Sequence, residues 1–150
     1  MKFTSAELIV QRQLEACHAK DVDALLATYS HDAREFEFPG RLLASGHAQI
    51  RARIVRMLAD PLFHVRLVQR SVMGNVVIDH QDVARTLADG PGQTELVAIY
   101  VVDRGLIRTV SFLFGAEVLQ ARQAFFGFAQ LGRAMGAAPS ATAAATGIAA

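Results

Sequence analysis

Residues 33–47, AREFEFPGRLLASGH, alternate Glu35 and Glu37 with Phe36 and Phe38 immediately before Pro39-Gly40. Successive side chains of a strand point to opposite faces, so the two glutamates share one face and the two phenylalanines the other. A carboxylate facing an apolar interior has its charged form disfavoured, and its pKa rises toward the range in which it accepts and releases protons near neutral pH. Facing water, the same carboxylate pairs with a nearby arginine and does no chemistry. The alternation alone fits both orientations.

Other candidates are sparser. Asp79 and His80 are neighbours on an extended run and point to opposite faces, so they form no dyad with each other. Val76, Ile78, His80 and Asp82 share a face whose apolar start makes His80 the inward candidate, as an acid/base partner or a donor to a ligand carbonyl; a histidine bonded to the next strand or to water is the plainer alternative. Gln13 falls on a helical apolar stripe, where an unsatisfied amide costs about 1–3 kcal/mol, so it serves a ligand or a loop carbonyl. His64, Arg66 and Arg70 share a strand face that reads as an anionic site, or as a wetted sheet face or dimer surface. The histidines His18, His31, His47 and His64 lack metal-ligand spacing, and no phosphate loop, serine nucleophile elbow or CxxC is present. No metal and no cofactor are expected.

The elements that must position these groups begin with Thr4-Ser5-Ala6-Glu7, a capping box flanked by Phe3 and Leu8. It starts a helix at about Ser5 whose inner stripe is Ala6, Val10, Leu14 and Cys17. Cys17 is the only cysteine, so no internal disulfide is possible, and its place on that stripe reads as a small buried hydrophobe. Asp21 caps a second helix with Val22, Leu25, Leu26 and Tyr29 inside, ended by Ser30-His31-Asp32. The EFEF strand, a Pro-Gly turn and a short strand at Leu42 to Ala44 lead to a third helix, about Ala48 to Leu58. There Ile50, Ile54, Met57 and Leu58 face inward, and Arg51, Arg53 and Arg56 form the solvated side.

Beyond Asp60-Pro61 the chain turns to β-branched runs separated by Gly74-Asn75, Ala88-Asp89-Gly90-Pro91-Gly92 and Asp103-Arg104-Gly105. They predict four strands, about 63–73, 75–87, 94–102 and 106–114, in an antiparallel meander covered on one face by the three helices: an α+β plan. Gly115 is expected to end the sheet. The chain then divides into a domain over 1–115, a segment over 116–136 holding a helix at about 117 to 135 with Phe125 and Phe128, and a low-complexity tail over 137–150 expected to be disordered.

The 150 residues suit one domain, and a 52% hydrophobic content supports a real core. Fifteen Lys and Arg against fourteen Asp and Glu leave +1, with the arginines interleaved rather than striped, so nucleic acid is not an expected partner. The N-terminal apolar run is broken by Glu7, Gln11 and Arg12; no signal peptide or membrane span is expected, and the cytoplasm is the default location.

The order of elements, carried by QRQLEACHAKDVDALLATYSHDA, EFEFPGRLLASG and VMGNVVIDHQDV, resembles the nuclear transport factor 2-like superfamily, within it the steroid delta-isomerase and polyketide-cyclase type of small bacterial protein. The resemblance covers about residues 5 to 114. It implies a cone-shaped half-barrel, with the sheet wrapped around the helices and a deep pocket at its wide end. It places Glu37 where the isomerases carry their catalytic aspartate, with Glu35 pointing the same way nearer an edge. Gln13 falls at their oxyanion-binding tyrosine and Ala98 at their protonated aspartic acid, so the familiar pair of oxyanion donors is missing. Tyr100, on the face of Ala98, and Phe112 are read as further substrate-binding positions.

The resulting expectation is a pocket for a small hydrophobic molecule, with Glu37 and His80 as acid/base residues and Gln13, Ala98, Tyr100 and Phe112 lining it. The reaction would be of isomerase, lyase or hydrolase type. The alternative is a non-catalytic ligand-binding or protein-interaction module. The resemblance also implies a homodimer paired through the outer sheet face, with the segment after 116 covering the pocket mouth or packing on the partner subunit.

Overall fold

Thr4 starts the first helix by the route its sequence dictates. Its hydroxyl accepts from the Glu7 amide at 3.1 Å, and the Glu7 carboxylate accepts from the Thr4 amide at 3.4 Å, closing a capping box of about 1 kcal/mol. The computed structural model describes residues 4–120. In chain order the elements are α1 (Ser5–His18), α2 (Val22–Leu26), β1 (Tyr29–Glu37), β2 (Arg41–Ser45), α3 (Gly46–Leu58), β3 (His64–Met73), β4 (Val76–Leu87), β5 (Gly90–Asp103) and β6 (Leu106–Leu119). The plan is α+β: six strands form one curved, unclosed sheet in the order β2-β1-β6-β5-β4-β3, with the helices on its inner face.

Strands β3 to β6 form the antiparallel meander that their short turns require, and β1 joins the outer edge of β6 in parallel. The core lies between helices and sheet. Ile9, Val10 and Leu14 of α1 and Ile50, Ile54 and Leu58 of α3 are buried with Val77, Ala98, Val102, Ile107 and Val110 of the sheet, and each buried Val, Ile or Leu contributes about 1.5–3 kcal/mol. Among the described residues no helix is long and apolar enough to cross a membrane.

Several boundaries differ from expectation, each for a local reason. Helix α2 ends at Leu26, where the Thr28 hydroxyl takes the Leu25 carbonyl at 2.7 Å, so Tyr29 begins β1 instead of closing a helix. Strand β5 starts at Gly90, inside the presumed turn, and gives β6 a partner as far as Leu119: Gly92 pairs with Leu119 and Thr94 with Glu117. Gly115 therefore lies within the sheet, and Glu117 to Leu119 are strand. The remainder of the expected helix, with Phe125 and Phe128, and the low-complexity tail lie outside the described residues, as does Phe3.

Strand β3 carries a register shift between Leu67 and Gln69. Such a bulge moves everything beyond it to the opposite face. Arg70 thus parts from the exposed His64 and Arg66 and turns inward, where its Nε and Nη2 donate to the two Asp79 carboxylate oxygens at 2.7 and 2.9 Å.

Candidate functional site

A cavity of about 350 Å³ opens between the helices and the sheet. Its inner end is polar and its walls are apolar. At the inner end stand Gln13 of α1, Tyr29 and Glu35 of β1, Gln81 of β4 and Tyr100 of β5; the walls include Leu14, Ile54, Phe63, Val83, Leu96 and Phe112. Alternation and register explain the convergence. Residues 94, 96, 98, 100 and 102 of β5 all point inward and are buried, as are 77, 79, 81 and 83 of β4, paired so that Val77 faces Tyr100 and Gln81 faces Leu96.

Glu35 is the carboxylate inside. It is only 4% exposed, its Oε1 accepts from Arg53 Nε at 2.8 Å, and its Oε2 accepts from the Tyr29 hydroxyl at 3.3 Å. Burial pushes its pKa up; the Arg53 charge and the hydrogen bonds from Arg53 and Tyr29 oppose that push without cancelling it. Tyr29 and Tyr100 are pushed up still further, chiefly by burial, and for Tyr29 next by the Glu35 charge. Both phenols therefore remain protonated donors at neutral pH. The Tyr100 hydroxyl donates to Gln13 Oε1 across a long 3.5 Å.

Two further groups define what the wall can do. The Thr94 hydroxyl is buried and has no hydrogen-bond partner among the described residues, so it is free to bond an occupant. Cys17 also lines the cavity, but burial raises its thiol to about 11 against the weaker pull of Lys20. It stays a neutral thiol and not a nucleophile.

The glutamate face of β1 does look inward, but the carboxylate at the cavity is that of Glu35 and not Glu37. Glu37 is the last residue of β1, beyond the cover of the helices, and pairs across the hairpin with Arg41, whose side chain is 72% exposed. Phe36 lies on the outer face beneath the Arg34 guanidinium, 5.5 Å from the ring centroid. His80 is likewise corrected: it lies on the outer face of β4, bonded to Glu95 Oε2 at 2.8 Å, while Asp79 and Gln81 point inward.

Ala98 is fully buried in the core, its single methyl covered by neighbours, and does not line the cavity. Gln13, Tyr100 and Phe112 do line it. Arg53, expected on the solvated side of α3, reaches inward to Glu35, and Arg56 also borders the cavity. Tyr29, Arg53, Gln81 and Thr94 were not singled out by their sequence positions. The available signal was Val77 and Val83 bracketing Asp79 and Gln81 at period two, an apolar frame around polar residues.

Solved structures share this architecture. An uncharacterised cystatin-fold protein from Novosphingobium aromaticivorans superposes with a TM-score of 0.66 at 21% identity, over 75% of this chain and 99% of that one. A nuclear transport factor 2-like protein of unknown function from Cytophaga hutchinsonii gives 0.62 at 15% identity, over 77% and 93%. An LEH-like epoxide hydrolase from M. tuberculosis gives 0.64 at 20% identity, over 74% and 83%. At these identities the likeness is one of fold. No curated protein matches the sequence significantly. The SnoaL-like domain model matches residues 10–110, and with the six-stranded sheet and its helix-covered inner face this makes the chain a member of the SnoaL-like domain family, in the nuclear transport factor 2-like superfamily.

Proposed function

We propose that the cavity is the active site of a cofactor-independent acid/base enzyme, of isomerase, lyase or hydrolase type, acting on a small and largely apolar molecule. The observation that carries this reading is the buried Glu35 carboxylate at the cavity's inner end, with its pKa raised by burial. Arg53 occupies Oε1, which leaves Oε2, held only by the long bond from Tyr29, as the proton-accepting oxygen. In this reading Glu35 takes a proton from a ligand carbon or from water and returns it later in the cycle. Tyr100, whose bond to Gln13 is long, supplies a hydroxyl donor for a ligand oxygen on which negative charge develops, whereas Thr94, six residues away along β5, bonds a different part of the ligand.

The test is turnover of apolar ketones and epoxides, followed by NMR in D2O so that proton exchange and ring opening are both visible. Glu35→Gln is expected to lower the rate about 10²–10⁴-fold, and Glu37→Gln to leave it within about twofold. Equal rates in wild type and Glu35→Gln would remove the reading.

One observation favours a second reading. The Arg53–Glu35 ion pair neutralises the carboxylate, as a purely structural pair would, and a cavity built that way binds ligands without converting them. Binding that survives in Glu35→Gln, with no conversion by wild type, is its signature.

A further inference from the structure

The cavity has an inner and an outer end. Tyr100 at the inner end is 2% exposed, while Phe114, on β6 four residues beyond the Val110 that pairs with Tyr100, is 41% exposed at the mouth. Two arginines stand at that mouth: Arg85, near the end of β4, and Arg56, in the last turn of α3. Among the described residues six arginines pair with carboxylates, namely Arg41, Arg51, Arg53, Arg66, Arg70 and Arg108. Arg56 and Arg85 do not. Arg56 answers part of the α3 dipole at that helix's C-terminal end, whereas Arg85, on a strand, answers none.

The third charged group at the mouth is Asp60, and its carboxylate is already engaged. It accepts from the Thr86 amide at 2.7 Å, the Thr86 hydroxyl at 2.9 Å and the Leu62 amide at 3.0 Å. Those bonds, from Thr86 first and Leu62 next, hold its pKa low, so it stays charged. Of the groups that line the mouth two are cations and one an anion, while Lys20, outside the lining, bonds the Asp60 main-chain carbonyl from behind at 3.0 Å; the lining itself carries a single net positive charge, which matches one negative charge better than two. Along β4, Arg85 lies four residues from Gln81, or about 13 Å at the rise of a strand, with the apolar Val83 between them on the same face.

We infer that the occupant is an amphipathic monocarboxylate. Its apolar body lies along Val83, Leu96 and Phe112, and its carboxylate meets Arg56 and Arg85 at the mouth, about a strand's four residues from the polar inner end. This rests on the reading of the cavity as the functional site and adds to it the class of molecule. The planar guanidinium fork suits a carboxylate, and the Asp60 charge disfavours a dianion.

The test is isothermal titration calorimetry of the full chain with decanoate, 1-decanol and decyl phosphate at pH 8 and low salt. Wild type is expected to bind decanoate at least about tenfold more tightly than decanol, and decyl phosphate no more tightly than decanoate. Arg85→Gln narrows the gap, and Arg56→Gln/Arg85→Gln closes it to about twofold while decanol affinity holds. In wild type, added salt weakens decanoate and not decanol, a readout that needs no variant. Decanol binding as tightly as decanoate, or a preference that survives the double substitution, overturns the inference and leaves the cavity reading standing. Binding of none of the three probes overturns both.

Discussion

Replacing Arg53 by Met should make stability depend on pH in a way that isolates Glu35. Only 5% of the Glu35 side chain is exposed, and its two partners are Arg53 at 2.8 Å and Tyr29 at 3.3 Å. Removing one member of a fully buried pair costs about 3–5 kcal/mol because a charge is left stranded. Arg53 is 32% exposed, water screens the pair in part, and the cost falls to about 2 kcal/mol at pH 8. The sign follows from the direction of the shift. Burial raises the folded pKa of Glu35 above the ordinary 4.5, so the stability carried by its protonated form is complete below about pH 4.5 and is lost as pH rises through the folded value. Without Arg53 the folded pKa climbs further, and the loss extends to higher pH. Urea denaturation of wild type and Arg53→Met should therefore show nearly equal stability at about pH 4.5 and a gap of about 2 kcal/mol at pH 8, with Glu35→Gln/Arg53→Met recovering about half of that gap. The same deficit at both pH values would refute the reasoning.

Two further outcomes test the fold around the cavity. Arg70→Met leaves Asp79, whose side chain is 1% exposed, without its bidentate partner, and chemical denaturation should report a loss of about 3 kcal/mol; Arg41→Ala, which breaks the exposed pair with Glu37, should cost less than about 0.5 kcal/mol. Gly92→Ala would place a methyl 2.6 Å from the Val118 carbonyl oxygen and 2.4 Å from Leu87 Cδ1, so a thermal melt should show a loss of about 1–3 kcal/mol, and an unchanged melt would mean that β5 and β6 do not pair there.

The fold was legible because its signals are local. The capping box at Thr4, the stripe through Val10 and Leu14, and the turns at Gly74 and Gly105 each act over a few residues, and each stands where the sequence puts it. The site was legible only in part, because its members are chosen by tertiary geometry. Period two put Glu35 and Glu37 on one face of β1 and the family resemblance turned that face inward, but whether Glu35 or Glu37 meets the cavity depends on where the helices stop covering the strand. In β4 both faces mix apolar and polar residues, and inner and outer were exchanged, which cost His80 its expected place. The Arg70 inversion depends on one bulge in β3 that no residue type announces. Arg53 looked solvated because its partner is a buried acid on another element, and helical periodicity carries no information about that.

The parallel pairing of β1 with β6 has a consequence for how the protein comes into being. Glu35 lies in the first strand, yet it pairs with Val110 in the last, and Phe112 beside it completes the wall. Chain growing from its N-terminus carries the acid, the arginine that pairs with it and Gln13, the helix partner of Tyr100, well before β6 exists. Until then β1 has only the short β2 as a strand partner, with α3 held to it through Arg53 and Glu35, and two-stranded pieces are marginal in water. The acid's enclosure thus waits on the last strand, with long-range closure entropy to overcome, and no partly made chain carries a finished cavity.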